Sequence, residues 1–179
     1  MRQDSKGTAF WEALLARLRA GLRSGGTSWR PGTTEVKPYL PRGGYAGDAA
    51  TVPELRYEPY PDADADPGEI VWAWVPFEED HSQGKDRPVL VVGRRKRLLL
   101  ALMLSSRDHD ADQADEARHG RRWVDIGSGA WDPQRRPSEV RVDRVLQLHP
   151  AAVRRQGATL DRARFDLVAA AVRDAHPTR

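Results

Sequence analysis

Gly84-Lys85-Asp86-Arg87-Pro88-Val89-Leu90-Val91-Val92 is the stretch whose reading decides the fold. From Pro88 to Val92 it is apolar at successive positions and rich in β-branched residues. That pattern predicts a strand buried on both faces, and therefore a central one. Pro88 fixes its own backbone and biases Arg87 toward an extended conformation, so Arg87 stands at the strand's entry. Upstream, residues 76–86 are polar and hold Gly84, which predicts a long loop. Before that loop, Glu69-Ile70-Val71-Trp72-Ala73-Trp74-Val75 reads as a strand. After Val92 comes a turn over residues 93–97 with Arg94, Arg95, Lys96 and Arg97 in succession, then Leu98-Leu99-Leu100-Ala101-Leu102-Met103-Leu104, a third strand apolar on both faces.

Further along, residues 105–120 are polar and contain two His. Residues 123–126 and 138–142 are two more strand candidates, separated by a turn or loop over 127–133. Residues 145–148 form a short strand ending at Pro150. Thr159 is expected to cap a last helix, with Asp161 in its first turn and Phe165, Val168, Ala169 and Val172 on one face. The chain thus reads as mainly β with terminal helices, α+β in class: five or six short strands in a small barrel or strongly bent sheet, closed by a C-terminal helix.

Two segments precede this unit. Residues 8–23 space Phe10, Trp11, Leu14, Leu15, Leu18 and Leu22 as the apolar face of an amphipathic helix, and Ser24-Gly25-Gly26 stops it. That helix is open to docking on its own domain, on a partner or on a membrane surface. Residues 25–66 are rich in Pro, Gly, Ser, Thr and Asp and read as a linker, with Tyr39, Tyr45, Tyr57 and Tyr60 as local anchors. The expected organisation is a helix over 1–24, a linker over 25–66 and a β domain over 67–176.

Composition limits the chemistry. The 179 residues include no cysteine, which excludes disulfides, thiolate metal sites and thiol catalysis. Net charge is +3, and residues 67–179 carry 20 basic against 17 acidic side chains, a mild pointer to polyanions. No apolar run approaches a membrane span, and no signal core is expected, so a cytoplasmic location is the expectation.

The candidate chemical residues cluster around the strand ends. A guanidinium is always charged and matches phosphate in a two-pronged geometry, which suits Arg87 to a cleft; pairing with Asp86, Glu79 or Asp80 is the alternative. Ser105-Ser106-Arg107 follows the third strand and, if the two strands are antiparallel neighbours, places Ser105 at the same end of the sheet as Arg87. Glu78-Glu79-Asp80-His81 supplies carboxylates and an imidazole. Asp108-His109-Asp110 offers a second such group, although no HExxH and no calcium-loop pattern supports a metal site. There is no Gly-x-Ser-x-Gly nucleophile elbow and no P-loop.

The order of the motifs Pro67-Gly68-Glu69-Ile70-Val71-Trp72, Gly84-Lys85-Asp86-Arg87-Pro88, Leu102-Met103-Leu104-Ser105-Ser106-Arg107 and Val140-Arg141-Val142-Asp143-Arg144-Val145 resembles the PemK/MazF-like toxins of type II toxin–antitoxin systems, over about 110 residues from Pro67. The resemblance implies a small SH3-like barrel that forms a homodimer and cuts single-stranded RNA without a metal or other cofactor. It implies a cognate antitoxin as partner, whose peptide occupies the RNA groove. In that family's terms Arg87 is the catalytic arginine, and Ser105 stands where a Thr or Ser follows the third strand. The Gly84–Lys85 loop covers the groove, and Ser106, Arg107 and Glu79 contribute to substrate binding. The proton acceptor is left among Glu79, Asp80 and His81. The chain departs from the family where Asp-Gln-x-Arg-Thr/Ser is common: Asp143-Arg144-Val145-Leu146-Gln147 keeps only the Asp. Two further readings stand beside this one: a non-catalytic barrel that binds protein or nucleic acid, and a toxin-like inhibitor of a protein target such as DNA gyrase.

Overall fold

The computed structural model describes residues 45–52, 54–106 and 118–177. The expected helix over 8–23, the first part of the linker, and Arg107 through Asp110 lie outside the described residues. Among the described residues the elements in chain order are β1 (Glu69–Pro76), β2 (Gly84–Arg95), β3 (Leu98–Ser105), β4 (Trp123–Gly127), β5 (Ser138–Arg141), β6 (Leu146–Leu148), β7 (Val153–Thr159) and α1 (Arg162–Ala175). They form a single curled sheet in the order β4-β5-β3-β2-β1-β7, with β6 also paired to β3. β3 meets β6 over Leu99–Ala101 and β5 over Leu104–Ser105, so two strands share one of its edges and the sheet bends there into a half-barrel.

β1, β2 and β3 are buried on both faces, as their continuous apolar sequences require. One face carries Ile70, Leu90, Val92, Leu100, Leu102 and Leu104, and receives Phe165, Val168 and Val172 of α1. The other carries Val71, Ala73, Val75, Val89, Val91, Leu99 and Ala101, with Leu146 and Leu148. A bulge at Val92 breaks the β2–β3 register between Val91 and Gly93 and sharpens the twist.

Several expectations need correction. The sheet has seven strands, not five or six. Gly84, Lys85, Asp86 and Arg87 belong to β2, paired with Pro76, Val75, Trp74 and Ala73, so the loop between β1 and β2 is short. Polar residues are held extended there by the neighbouring strand. Gly84 fits because a Cβ would stand 2.4 Å from the Val75 carbonyl oxygen. Arg94 and Arg95 lie in β2, and only Lys96 and Arg97 form the hairpin turn, Lys96 at φ 54°. β7 is a strand the sequence does not announce. Because Thr159 pairs with Glu69 at its end, the helix cap passes to Asp161, whose side chain accepts from the Arg164 amide.

The described part of the expected linker packs on the sheet. Ala49 is in the core, with Val52, Leu55 and Tyr57 against it. Ala49 N–H donates to the Val145 carbonyl at 2.8 Å and Arg56 N–H to the Val92 carbonyl at 3.1 Å. The Tyr57 hydroxyl donates to the Leu160 carbonyl at 2.9 Å. Trp131, in the 127–137 segment, is likewise buried in the helix-side core and donates to Ser138 Oγ at 3.0 Å.

Candidate active site

The two faces of the sheet end differently. On the face away from α1, β2 reads Val91, Val89, Arg87 and β3 reads Ala101, Met103, Ser105 toward the same end. Apolar residues give way there to a guanidinium and a hydroxyl. The register Val89↔Met103, continued by two residues, sets Arg87 opposite Ser105. Both line a cavity of about 310 Å³. Val75, Pro76 and Phe77 form one wall of it, Glu78 and Glu79 its rim, and Arg121, Trp123, Arg141 and Arg144 the wall from the later strands.

The Arg87 side chain makes no hydrogen bond or ion pair with any described residue. Two of the three carboxylates that sequence proximity offers it, Asp86 and Asp80, are engaged elsewhere. Asp86, its neighbour, points to the opposite face of β2 and pairs with Arg154 at 3.3 Å. Asp80 accepts from the Ser82 amide at 2.9 Å, the Ser82 hydroxyl at 2.6 Å and Gln83 Nε2 at 2.8 Å. Those bonds hold the Asp80 carboxyl below its ordinary range, with the Ser82 hydroxyl contributing most. Asp80 closes the β1–β2 turn and does not line the cavity. His81 packs edge-on against Tyr45 with ring centroids 5.0 Å apart, and it too is outside the cavity lining.

Glu79 does line the cavity, and it has no ion pair among the described residues. Its neighbour Glu78 is bound differently. Arg141, 6% exposed, donates to both Glu78 carboxylate oxygens at 2.8 Å and to Asp143 at 2.7 Å. The hydrogen bonds from Arg141 lower the Glu78 carboxyl below its usual range, against partial burial. Burial opposes the charge on Arg141, and the bonds to Asp143 and Glu78 override it, so its guanidinium is held charged more firmly than usual. Lys85 extends over the Phe77 ring at 5.8 Å, Gly84 sits in the strand beside Trp74, and Ser106 is exposed just past β3. The structure thus brings Arg87, Ser105 and Glu79 to one cavity, leaves Asp80 and His81 beside it, and adds Glu78, Arg121, Arg141 and Arg144. The signal for Arg141 in the sequence is a charged residue set between the β-branched Val140 and Val142. Among the described residues, no group of three or more His, Asp and Glu forms a metal-ligand set.

A family model described as the PemK-like, MazF-like toxin of type II toxin-antitoxin systems matches residues 66–176. The chain belongs to this family. Solved structures with a similar chain include MazE-MazF (Form-II) from Deinococcus radiodurans, 19% identical, covering 63% of this chain and 96% of that one at a TM-score of 0.45. Another is the Mycobacterium tuberculosis toxin MazF-mt6, 19% identical, covering 60% and 94% at a TM-score of 0.40. No curated protein matches. The family match begins at residue 66, so the strap over residues 45–65 lies outside it. Among the described residues, no helix is long and apolar enough to cross a membrane.

Proposed function

We propose that this PemK/MazF-family chain is an endoribonuclease toxin that cuts single-stranded RNA without a metal. The observation that carries the reading is Arg87: a guanidinium without a partner among the described residues, in the cavity and opposite Ser105. A buried-strand arginine is ordinarily neutralised. One left unpaired at the mouth of a cavity is preorganised for an anion.

In the reaction, the RNA 2′-oxygen attacks the adjacent phosphorus and the bond to the 5′-oxygen breaks; the departing 5′-oxygen takes a proton from water, giving a 2′,3′-cyclic phosphate and a 5′-hydroxyl. Glu79 accepts the 2′-hydroxyl proton, because it is the carboxylate on the cavity rim that no cation among the described residues engages. Glu78 is the poorer base, since Arg141 stabilises its ionised form. Arg87 stabilises the charge that builds on the phosphorane oxygens, the role suited to a group that gives up its proton reluctantly. Ser105 hydrogen-bonds a phosphate oxygen. Lys85 and Ser106, at either side of this pair, contact the flanking backbone, with Gly84 allowing the close strand approach that presents Lys85; Arg107 joins them. The chain acts as a homodimer, and a cognate antitoxin peptide occupies the same groove.

The test is to incubate the purified full chain with single-stranded RNA in EDTA and map the new 5′ ends. Cleavage that survives EDTA and is lost in Arg87→Ala supports the reading. Intact RNA, with any bound antitoxin removed, overturns it.

A further inference from the structure

Arg144 follows β5, lines the cavity and is 5% exposed. Its Nε donates to Asp48 Oδ2 at 2.9 Å and its Nη1 to the Pro76 carbonyl at 2.9 Å. Its Nη2 is buried and has no hydrogen-bond partner among the described residues. A buried N–H without an acceptor is costly, so this nitrogen gains by meeting a ligand oxygen after a small shift of the cavity wall.

The carboxylate that orients Arg144 comes from outside the family domain. Asp48 lies in the strap, 96 residues upstream. The Tyr45 hydroxyl donates to Asp48 Oδ1 at 2.7 Å and accepts from the Gln147 amide at 3.1 Å. Gln147 Nε2 returns a bond to the Gly47 carbonyl at 3.0 Å. Strap and sheet are therefore joined by a closed set of hydrogen bonds around Arg144.

The donors that remain decide the ligand. The bonds to Asp48 and Pro76 use two of the five N–H groups of the guanidinium and leave both on Nη2, beside a full positive charge, a pair of donors suited to an anionic phosphate oxygen. Arg141 spends its donors on Glu78 and Asp143, so it does not compete. We propose that Arg144 binds a second RNA phosphate beside the one at Arg87, and that Asp48 and Tyr45 are positioning residues that hold it there. This rests on the endoribonuclease reading above.

The experiment uses the full chain, wild type and the variants Arg144→Gln, Asp48→Asn and Tyr45→Phe. Cleavage kinetics are measured on a short single-stranded RNA. Binding is measured against salt on the same RNA with a 2′-deoxy residue at the cut site. Arg144→Gln is expected to raise KM about tenfold with kcat little changed, and to reduce the slope of log K against log salt by about 0.7, the value of one single-strand phosphate. The sign in Asp48→Asn separates positioning from bulk charge. Removing a carboxylate should by charge alone tighten RNA binding, whereas loss of positioning raises KM several-fold. Tyr45→Phe should move KM the same way by less. Should Arg144→Gln fail to fold, Asp48→Asn carries the test alone. Wild-type cleavage combined with an unchanged salt slope in Arg144→Gln, or with an unchanged or lowered KM in Asp48→Asn, overturns the inference and leaves the endoribonuclease reading standing. Affinity lost only for RNAs with one particular base would overturn the phosphate assignment. A wild-type chain that neither binds nor cuts RNA removes both.

Discussion

Arg141 and Glu78 are joined by two parallel hydrogen bonds, Nη1 to Oε2 and Nη2 to Oε1, each 2.8 Å long. They tie β5 to the connection between β1 and β2 across 63 residues of sequence and fix one wall of the cavity. Two-pronged pairs of this kind are the stronger class of ion pair. Glu78→Gln should therefore destabilise the fold, by about 1–2 kcal/mol in chemical denaturation. That is less than breaking a fully buried pair, because Glu78 is 39% exposed and Asp143 still holds Arg141.

The same pair gives the acid limb of stability. The Glu78 carboxyl lies below its ordinary value of 4.5, through Arg141 first. The Asp132 carboxyl lies below 3.8: burial pushes it up, and the Arg136 hydrogen bond and the Gln134 and Arg136 amides outweigh that. A carboxyl lowered by folding stabilises above its unfolded value and loses that contribution as pH falls through its folded value. Glu69 works the other way: burial raises it above 4.5, and its contribution, present below 4.5, is lost as pH rises through the higher folded value. Melting temperatures between pH 7 and pH 3 should fall below about pH 4.5. Over that range the gap between wild type and Glu78→Gln should close. A gap that stays constant down to pH 3 would show that the Arg141 bonds do not depend on Glu78 being ionised.

Asp86 and Arg87 are adjacent on β2 yet emerge on opposite faces, and that alternation separates a structural charge from a functional one. Asp86 reaches Arg154, while Arg87 reaches the cavity. Arg87→Ala should lower kcat for RNA cleavage by on the order of 10²–10³, with the melting temperature nearly unchanged because no described residue loses a partner. Arg87→Lys keeps the charge and loses the fork, and should recover only part of the rate.

How far the sequence reveals this arrangement depends on what holds each element. Val89–Val92 and Leu98–Leu104 are legible because residues apolar on both faces leave a short segment little choice but a central strand. The first residues of β2 are not, because Gly84, Lys85 and Asp86 have weak strand preference and are extended by pairing to β1. β7 hides for the same reason: Val153-Arg154-Arg155-Gln156-Gly157-Ala158-Thr159 has no alternation and becomes a strand on the edge of β1. At the site, Arg87 and Ser105 are legible as the ends of two central strands. The choice among Glu78, Glu79, Asp80 and His81 is not, because it depends on which way a turn closes, and Asp80 turns inward on Ser82 and Gln83. Asp48 and Arg144 are far apart in sequence, and nothing local to either announces the pair.

Gly84 shows that tight packing beside the site constrains sequence without any unusual backbone angle. A Cβ there would stand 2.4 Å from the Val75 carbonyl oxygen and 2.7 Å from the Trp74 ring. The carbonyl is backbone and cannot swing aside, so the β1–β2 pairing must part. Gly84→Ala should cost about 1–3 kcal/mol and reduce activity by displacing Arg87, three residues on in the same strand. Hydrogen exchange is the suitable measurement: amides of β1 and the start of β2 should lose protection while those of β4 and β5 keep it.

The strap makes the boundary of the folding unit measurable. Reading residues 25–66 as a linker predicts that a chain starting at residue 67 folds as well as the whole protein. The packing of Ala49, Val52, Leu55 and Tyr57 on the helix-side core predicts otherwise. Tyr57 is the sharpest probe. Its hydroxyl reaches the Leu160 carbonyl at 2.9 Å, its ring meets Phe165 with centroids 5.1 Å apart, and the absence of a side chain on Gly68 gives it room. Tyr57→Phe removes one hydrogen bond and should cost about 0.5–1.5 kcal/mol. Tyr57→Ala also removes the ring packing and should cost about 3 kcal/mol or more. Compared with a chain starting at residue 45, which keeps the strap, one starting at residue 67 exposes the apolar surface under it and should melt far lower or aggregate. Equal melting temperatures for those two chains would show that the strap rests on the sheet without contributing to its stability.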